Sequence, residues 1–220
     1  MSIGNTLYYK DDFACSTLFN FHTPPNYVRF QRLDFLLCEA KDANVDGIEF
    51  TRQYHLPMLR QMTSNLVGSS LVYSFIMDNN SSGVPSRRGV FYNLSDPLAY
   101  LNTEVLPLFT SELPKISIHT EFLNNSSSKF GEQFLVPFLS FHKIMCASSV
   151  DIVMSSSQSC FVTIPFDTIL KWLNHIGKNR EFVLEIYSTE SKISDAFLTE
   201  LKDVEERLIS VSFYLVFSFV

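Results

Sequence analysis

The sequence predicts an α/β fold, an array of helix–strand units whose strands form a mainly parallel, curved sheet, and three observations predict it. A short phrase of apolar residue, proline and apolar residues recurs at Leu56-Pro57-Met58-Leu59, Leu106-Pro107-Leu108-Phe109, Val136-Pro137-Phe138-Leu139 and Ile164-Pro165-Phe166. Proline is tolerated at the first helical position, where its missing N–H costs nothing and its fixed φ suits the helix, so each phrase reads as a helix start. A β-rich run follows each phrase. Helix starts near residues 32, 57, 97, 132, 165 and 194 recur every 25 to 40 residues or so, a drift that stacked units with loops of varying length explain. Right-handed crossovers between such strands curve the sheet.

Residues 1–30 read as an irregular, partly β segment, with candidate strands at Leu7-Tyr8-Tyr9 and Tyr27-Val28-Arg29-Phe30, and residues 31–220 as the helix–strand repeat domain. Residues 32–42 carry Leu33, Leu36, Leu37 and Ala40 at helical spacing, and residues 45–50 read as a strand. Pro57 opens a helix bearing Leu59, Met62 and Leu66. The continuous apolar run 71–77 is then expected to be a strand covered on both faces. Residues 78–88 form a loop by composition, and 90–92 a short extra strand. Ser95-Asp96-Pro97 starts the next helix, with Leu98, Leu101 and Val105 on one stripe; Pro107 either kinks it or opens a second short one. Residues 115–122 alternate Ile116, Ile118, Thr120 and Phe122 with polar residues, the pattern of a half-buried strand. Residues 130–147 repeat the helix, bent at Pro137, and 150–154 the strand. Residues 160–164 are β-prone. Pro165 heads the clearest helix, with Phe166, Ile169, Leu170, Leu173 and Ile176 on one side and Gly177 past its end. Residues 182–187 follow as a strand. A helix from Ser194 to about residue 208, with a solvated acidic face, and a strand over 211–220 complete the series.

Composition narrows the function classes. Of 220 residues, 46% are hydrophobic and 18% charged, so the chain is globular and can bury a large core; 21 phenylalanines imply a thick core or an apolar surface awaiting a partner. A net charge of −6 without any block of basic residues argues against general nucleic-acid binding. The first residues show neither a basic n-region nor an apolar h-region, and no apolar run is long enough to span a bilayer as a helix, so a non-secreted cytoplasmic or nuclear protein without a membrane anchor is expected. Cys15, Cys38, Cys146 and Cys160 lack the close pairing of structural zinc sites and read as free buried thiols.

Seven glycines form no nucleophile elbow, phosphate cradle or dinucleotide fingerprint. His142 and Cys146 stand four apart on an expected helix, but two ligands are too few for a metal. His175 with Glu185 and His119 with Glu121 are acid–base pairs only if the fold joins them. Trp172 reads as a core residue, and His119, Glu121 and Glu185 as candidates on an exposed strand face. The residues therefore assign no catalytic, cofactor-binding or metal site and imply no cofactor.

The segments Phe134-Leu135-Val136-Pro137-Phe138-Leu139 and Val150-Asp151-Ile152-Val153-Met154, the stretch from Thr168 through Trp172-Leu173 to Lys178, and Phe182-Val183-Leu184-Glu185-Ile186-Tyr187 together resemble nematode F-box-associated, leucine-rich-repeat-like proteins. The resemblance covers residues 130–220 and extends loosely back to 31. It implies an irregular leucine-rich-repeat-like array that recognises a protein target, as the substrate-recognition part of an SCF-type ubiquitin ligase, with ligase components as further partners. Residues 1–45 lack the Leu-Pro-led helical F-box that would dock the ligase adaptor. The expected function is thus a non-enzymatic protein-interaction domain. Two alternatives stay open: a small α/β enzyme with a site at strand ends, and a truncated gene product, suggested by a sequence that stops within an apolar strand.

Overall fold

A computed structural model describes residues 6–9, 29–37, 47–77, 90–91, 95–123, 131–156, 164–175, 179–188, 199, 202 and 212–219. Eight strands form one sheet: β1 (Thr6–Tyr9), β2 (Arg32–Leu36), β3 (Ser70–Met77), β4 (Val90–Phe91), β5 (Lys115–Phe122), β6 (Ser149–Ser156), β7 (Glu181–Ser188) and β8 (Ser212–Phe219). Every pairing is parallel, and the order is β1-β2-β3-β5-β6-β7-β8 with β4 beside β3. The chain thus adds strands in one direction, without the reversal of order that marks a doubly wound sheet. The expected α/β class with a parallel sheet is borne out, and Thr6–Tyr9 joins that sheet.

Parallel register aligns like residues across neighbouring strands, and period-two alternation sends them all to one face. Leu33, Leu71, Ile116, Val150 and Phe182 form one such row, each with no exposed surface. Phe35, Tyr73, Ile118, Ile152 and Leu184 form the next, and Phe75, Thr120, Met154 and Ile186 a third. Burying one such aliphatic side chain is worth about 2 kcal/mol, so these rows are a principal source of the sheet's cohesion. A chain of ring contacts carries the core from sheet to helix. Tyr73 lies 6.0 Å from Phe35 and 5.8 Å from Phe75, Phe75 lies 5.9 Å from Phe134, and Phe134 lies 5.3 Å from Phe138.

The helical segments pack on this one face and share its apolar cluster. Helix α1 spans residues 47–61, α2 95–108, α3 131–140, α4 His142–Met145 and α5 Phe166–Asn174. Three of them are built alike. A wide, π-type turn covers Thr51–His55, Leu101–Val105 and Gly131–Leu135, and each is followed at once by the proline phrase. In α1 the Leu56 amide donates to the Thr51 carbonyl, five residues back, and in α2 Leu106 donates to Leu101 in the same way. A proline inside a helix has no N–H to give, and its ring collides with the carbonyl four residues earlier; widening the preceding turn relieves both problems.

This corrects the helix-start reading at Pro57, whereas at Pro107 and Pro137 it agrees with the sequence's other reading, a bend within a longer helical run. Pro57 and Pro137 lie within helical runs, and Pro107 lies in the tight last turn of α2. Only Pro165 stands at a true start, as the residue before Phe166, with φ −79° and ψ 72°. The first expected unit is also inverted. Arg32–Leu36 is a strand, because Leu33, Phe35 and Leu37 alternate into the core, and Gly47–Phe50 is helical where residues 45–50 were expected to be a strand. Among the described residues helices pack on one face of the strand over 71–77, while on the other Val72 is buried and Ser74 and Ile76 are half-buried. Strands expected at 90–92, 115–122, 150–154, 182–187 and 211–220 agree with those observed to within a residue or two. Phe30 begins no strand; its amide donates to the Asn65 carbonyl, and its carbonyl accepts from the Ser69 hydroxyl. The expected features at 27–28, 78–88 and 160–163, at Ile176 and Gly177, and most of the helix after Ser194 lie outside the described residues, as do Cys15, Cys38 and Cys160.

Trp172, expected in the core, is 1% exposed, and its Nε1 donates to the Ile144 carbonyl at 2.7 Å. No helix among the described residues is long and apolar enough to cross a membrane.

Candidate binding face of the sheet

Among the described residues the helices occupy one side, and alternation directs the remaining residues of β2, β3, β5, β6 and β7 to the other. Register sets these in rows as well: Lys115, Ser149 and Glu181; Asp34, Val72, Ser117, Asp151 and Val183; Leu36, Ser74, His119, Val153 and Glu185; and Ile76, Glu121, Ser155 and Tyr187. Nearly all are half-buried. Val72 and Ser117 are buried, and Arg32 and Glu121 are exposed.

Polar contacts hold much of this face in place. Lys115 Nζ lies 3.2 Å from Asp151 Oδ2, which also accepts from the Ser117 hydroxyl at 3.3 Å. Asp151 Oδ1 is enclosed and has no hydrogen-bond partner among the described residues. Arg32 pairs with Asp34. Ser149 donates to Glu181 Oε2 at 3.1 Å, and the Tyr187 hydroxyl donates to Glu185 Oε2 at 2.8 Å. In all, two cations, Arg32 and Lys115, face five carboxylates, Asp34, Glu121, Asp151, Glu181 and Glu185. The cations sit at one end of their strands, while Glu121 and Glu185 lie farther along, without an ion pair among the described residues.

His119 stands in the middle. Burial lowers its pKa below the ordinary histidine value and outweighs Asp151, Asp34 and Glu185, which pull the other way; Arg32 adds to the lowering. The imidazole is therefore neutral near pH 7, a half-buried donor–acceptor among acids.

Of the residues singled out in the sequence, His119, Glu121 and Glu185 thus share this face. His119 and Glu185 occupy one row, separated by Val153. Lys115, Ser117 and Asp151 complete the local network. Lys115 and Ser117 were legible in the alternation of residues 115–122. Asp151 gave no such signal, because its role depends on β5 and β6 being neighbours in register.

The other pairings are not assembled. His175 sits at the end of α5 on the helical side, whereas Glu185 points away from the helices. His142 is exposed, and the Cys146 backbone amide, not its thiol, meets the His142 carbonyl at 3.2 Å. The Cys146 thiol is free and half-buried. Among the described residues no three potential metal ligands gather. An open depression of about 660 Å3 lies along α5, where Asp167, Lys171 and His175 follow one another at four-residue spacing beside Met145. These groups line a helix flank and do not converge on a point.

Comparison of the chain with family models, with curated proteins and with solved structures returns no match in any of the three.

Proposed function

We propose that this chain is a non-enzymatic protein-interaction domain, an irregular leucine-rich-repeat-like array that holds a protein target against the uncovered face of its sheet. One observation carries the reading. A sequentially ordered, all-parallel sheet has its helices on one side, and its other side presents rows of charged, hydroxyl and valine side chains in fixed register. Such a surface is broad and pre-organised, so binding to it costs little conformational entropy.

The resemblance carried by residues 130–220 extends the proposal to target recognition for an SCF-type ubiquitin ligase, acting in the cytoplasm or nucleus. The acidic net charge supports a protein partner over nucleic acid.

The test is affinity capture with the wild-type chain and with Val153→Arg, which places a bulky cation at the centre of the face without touching the core. Protein partners held by the wild type and lost from a folded V153R support the reading. Partners retained equally by both, or none with the wild type, overturn it. Recovery of ligase adaptor subunits among the captured proteins tests the narrower assignment.

A further inference from the structure

The charges on the uncovered face are not balanced, and their placement says what kind of target fits. Asp34 and Asp151 already have cations, Arg32 and Lys115. Glu121 and Glu185 have none among the described residues, and Glu185 is held in position by the Tyr187 hydroxyl. Both lie on the half of the face away from Lys115. Val153 lies between the two glutamates on the intervening strand, and Val183 lies one row beyond Glu185 on β7, so an apolar seam that water hydrates poorly adjoins the carboxylates.

We infer that the occupant of this face is a basic protein segment, one that sets Lys or Arg side chains against Glu121 and Glu185 and small apolar side chains against Val153 and Val183. This inference rests on the interaction-domain reading and names the chemistry of the target. Glu121 and Glu185 stand two strands and two residues apart, roughly 12 Å at ordinary sheet spacings. An extended chain covers about 13 Å between residues i and i+4, so cations four apart with apolar residues between them reach both carboxylates. Opposite potentials would also speed the encounter and disfavour acidic competitors.

The probe is a fluorescein-labelled peptide of repeated Lys-Ser-Val-Ser units, which in an extended chain puts lysines and the valine midway between them on one face, with its Glu-Ser-Val-Ser counterpart as control, titrated with the full chain by fluorescence anisotropy. The lysine peptide is expected to bind saturably and the glutamate peptide not to bind. Glu121→Gln with Glu185→Gln should weaken binding by about 2- to 5-fold per carboxylate removed. Glu49→Gln with Glu132→Gln, on exposed helical positions, changes the net charge equally and should leave affinity unchanged. Equal loss with both pairs would mean attraction to overall charge and overturns the inference, as does the absence of saturable binding. Should the double variant fold poorly, Glu121→Gln alone, at an exposed position, carries the same comparison. The two readings separate cleanly. If captured partners are lost with V153R yet are indifferent to the glutamate substitutions, the basic-target inference falls and the interaction domain stands.

Discussion

Arg180 lies over the face of Trp172, its guanidinium carbon 4.7 Å from the ring centroid, and Arg180 Nη1 donates to the Trp172 backbone carbonyl at 2.7 Å. Arg180 Nη2 donates to the Met145 carbonyl as well, and the residue is only 3% exposed. One side chain thus satisfies carbonyls at the ends of α4 and α5 just before the chain enters β7. Arg180→Met keeps most of the volume but leaves both carbonyls without this donor and removes the cation–π contact. A loss of about 3–5 kcal/mol is expected. Urea denaturation should show a lower midpoint at unchanged slope, and a loss below about 1 kcal/mol would show that water replaces the guanidinium freely.

The two uses of the proline phrase differ in sign when the proline is removed. Pro165 fixes the chain just ahead of α5, so Pro165→Ala should cost about 0.4–1 kcal/mol by freeing the unfolded chain. Pro57 sits inside α1 after a turn already widened to receive it. Alanine there restores an amide and a better helix former, so Pro57→Ala should be neutral or slightly stabilising, by up to about 1 kcal/mol. Thermal melts of the two variants measured side by side decide it. Destabilisation by P57A as large as that by P165A would return Pro57 to the role of a helix start.

Some strands were legible because their signal is local: Ile116, Ile118, Thr120 and Phe122 announce β5 by alternation, and the continuous apolar run 71–77 announces β3. The segment around Arg32 was misread because Leu33, Leu36 and Leu37 satisfy a helical spacing while Leu33, Phe35 and Leu37 satisfy a strand; pairing with β3 decides between them. Local pattern also cannot separate a proline that opens a helix from one preceded by a widened turn. The candidate face was half legible. His119 and Glu121 follow from the alternation, but the contact of Lys115 and Ser117 with Asp151 exists only once β5 and β6 are in register.

Acid should destabilise this protein through buried histidines before its carboxylates protonate. Burial lowers His55 to about 4, and its ring stands edge-on to Phe50 at 5.2 Å; burial lowers His119 too. A histidine whose folded pKa is depressed contributes no pH dependence above its unfolded value of about 6.5. As pH falls below that value the unfolded chain takes up the proton and the folded one does not, so stability declines until the folded pKa is reached. Because His55 is only partly buried, its share of the loss between pH 6.5 and 4 should be about 1–2 kcal/mol. Denaturation curves for wild type and His55→Gln at pH 7 and pH 4.5 isolate it. The variant should lose less stability on acidification, and an equal loss would exclude His55 as the source.

Tyr73 ties the sheet to the start of α2. Its ring belongs to the second core row, and its hydroxyl donates to the Pro97 carbonyl at 2.8 Å. Burial, reinforced by neighbouring Tyr100, pushes its pKa well up, so the hydroxyl remains a donor throughout the range in which the protein is folded. Tyr73→Phe keeps the ring contacts with Phe35 and Phe75 and leaves one buried carbonyl without this donor. A cost of about 1–2 kcal/mol follows, with no change in unfolding slope. Hydrogen exchange should locate the effect: amides of α2 lose protection while those of β6 and β7, remote from the bond, follow only the global change. Uniform loss across all strands, with α2 no worse than the rest, would mean that the hydroxyl supports the core as a whole and does not hold this one helix.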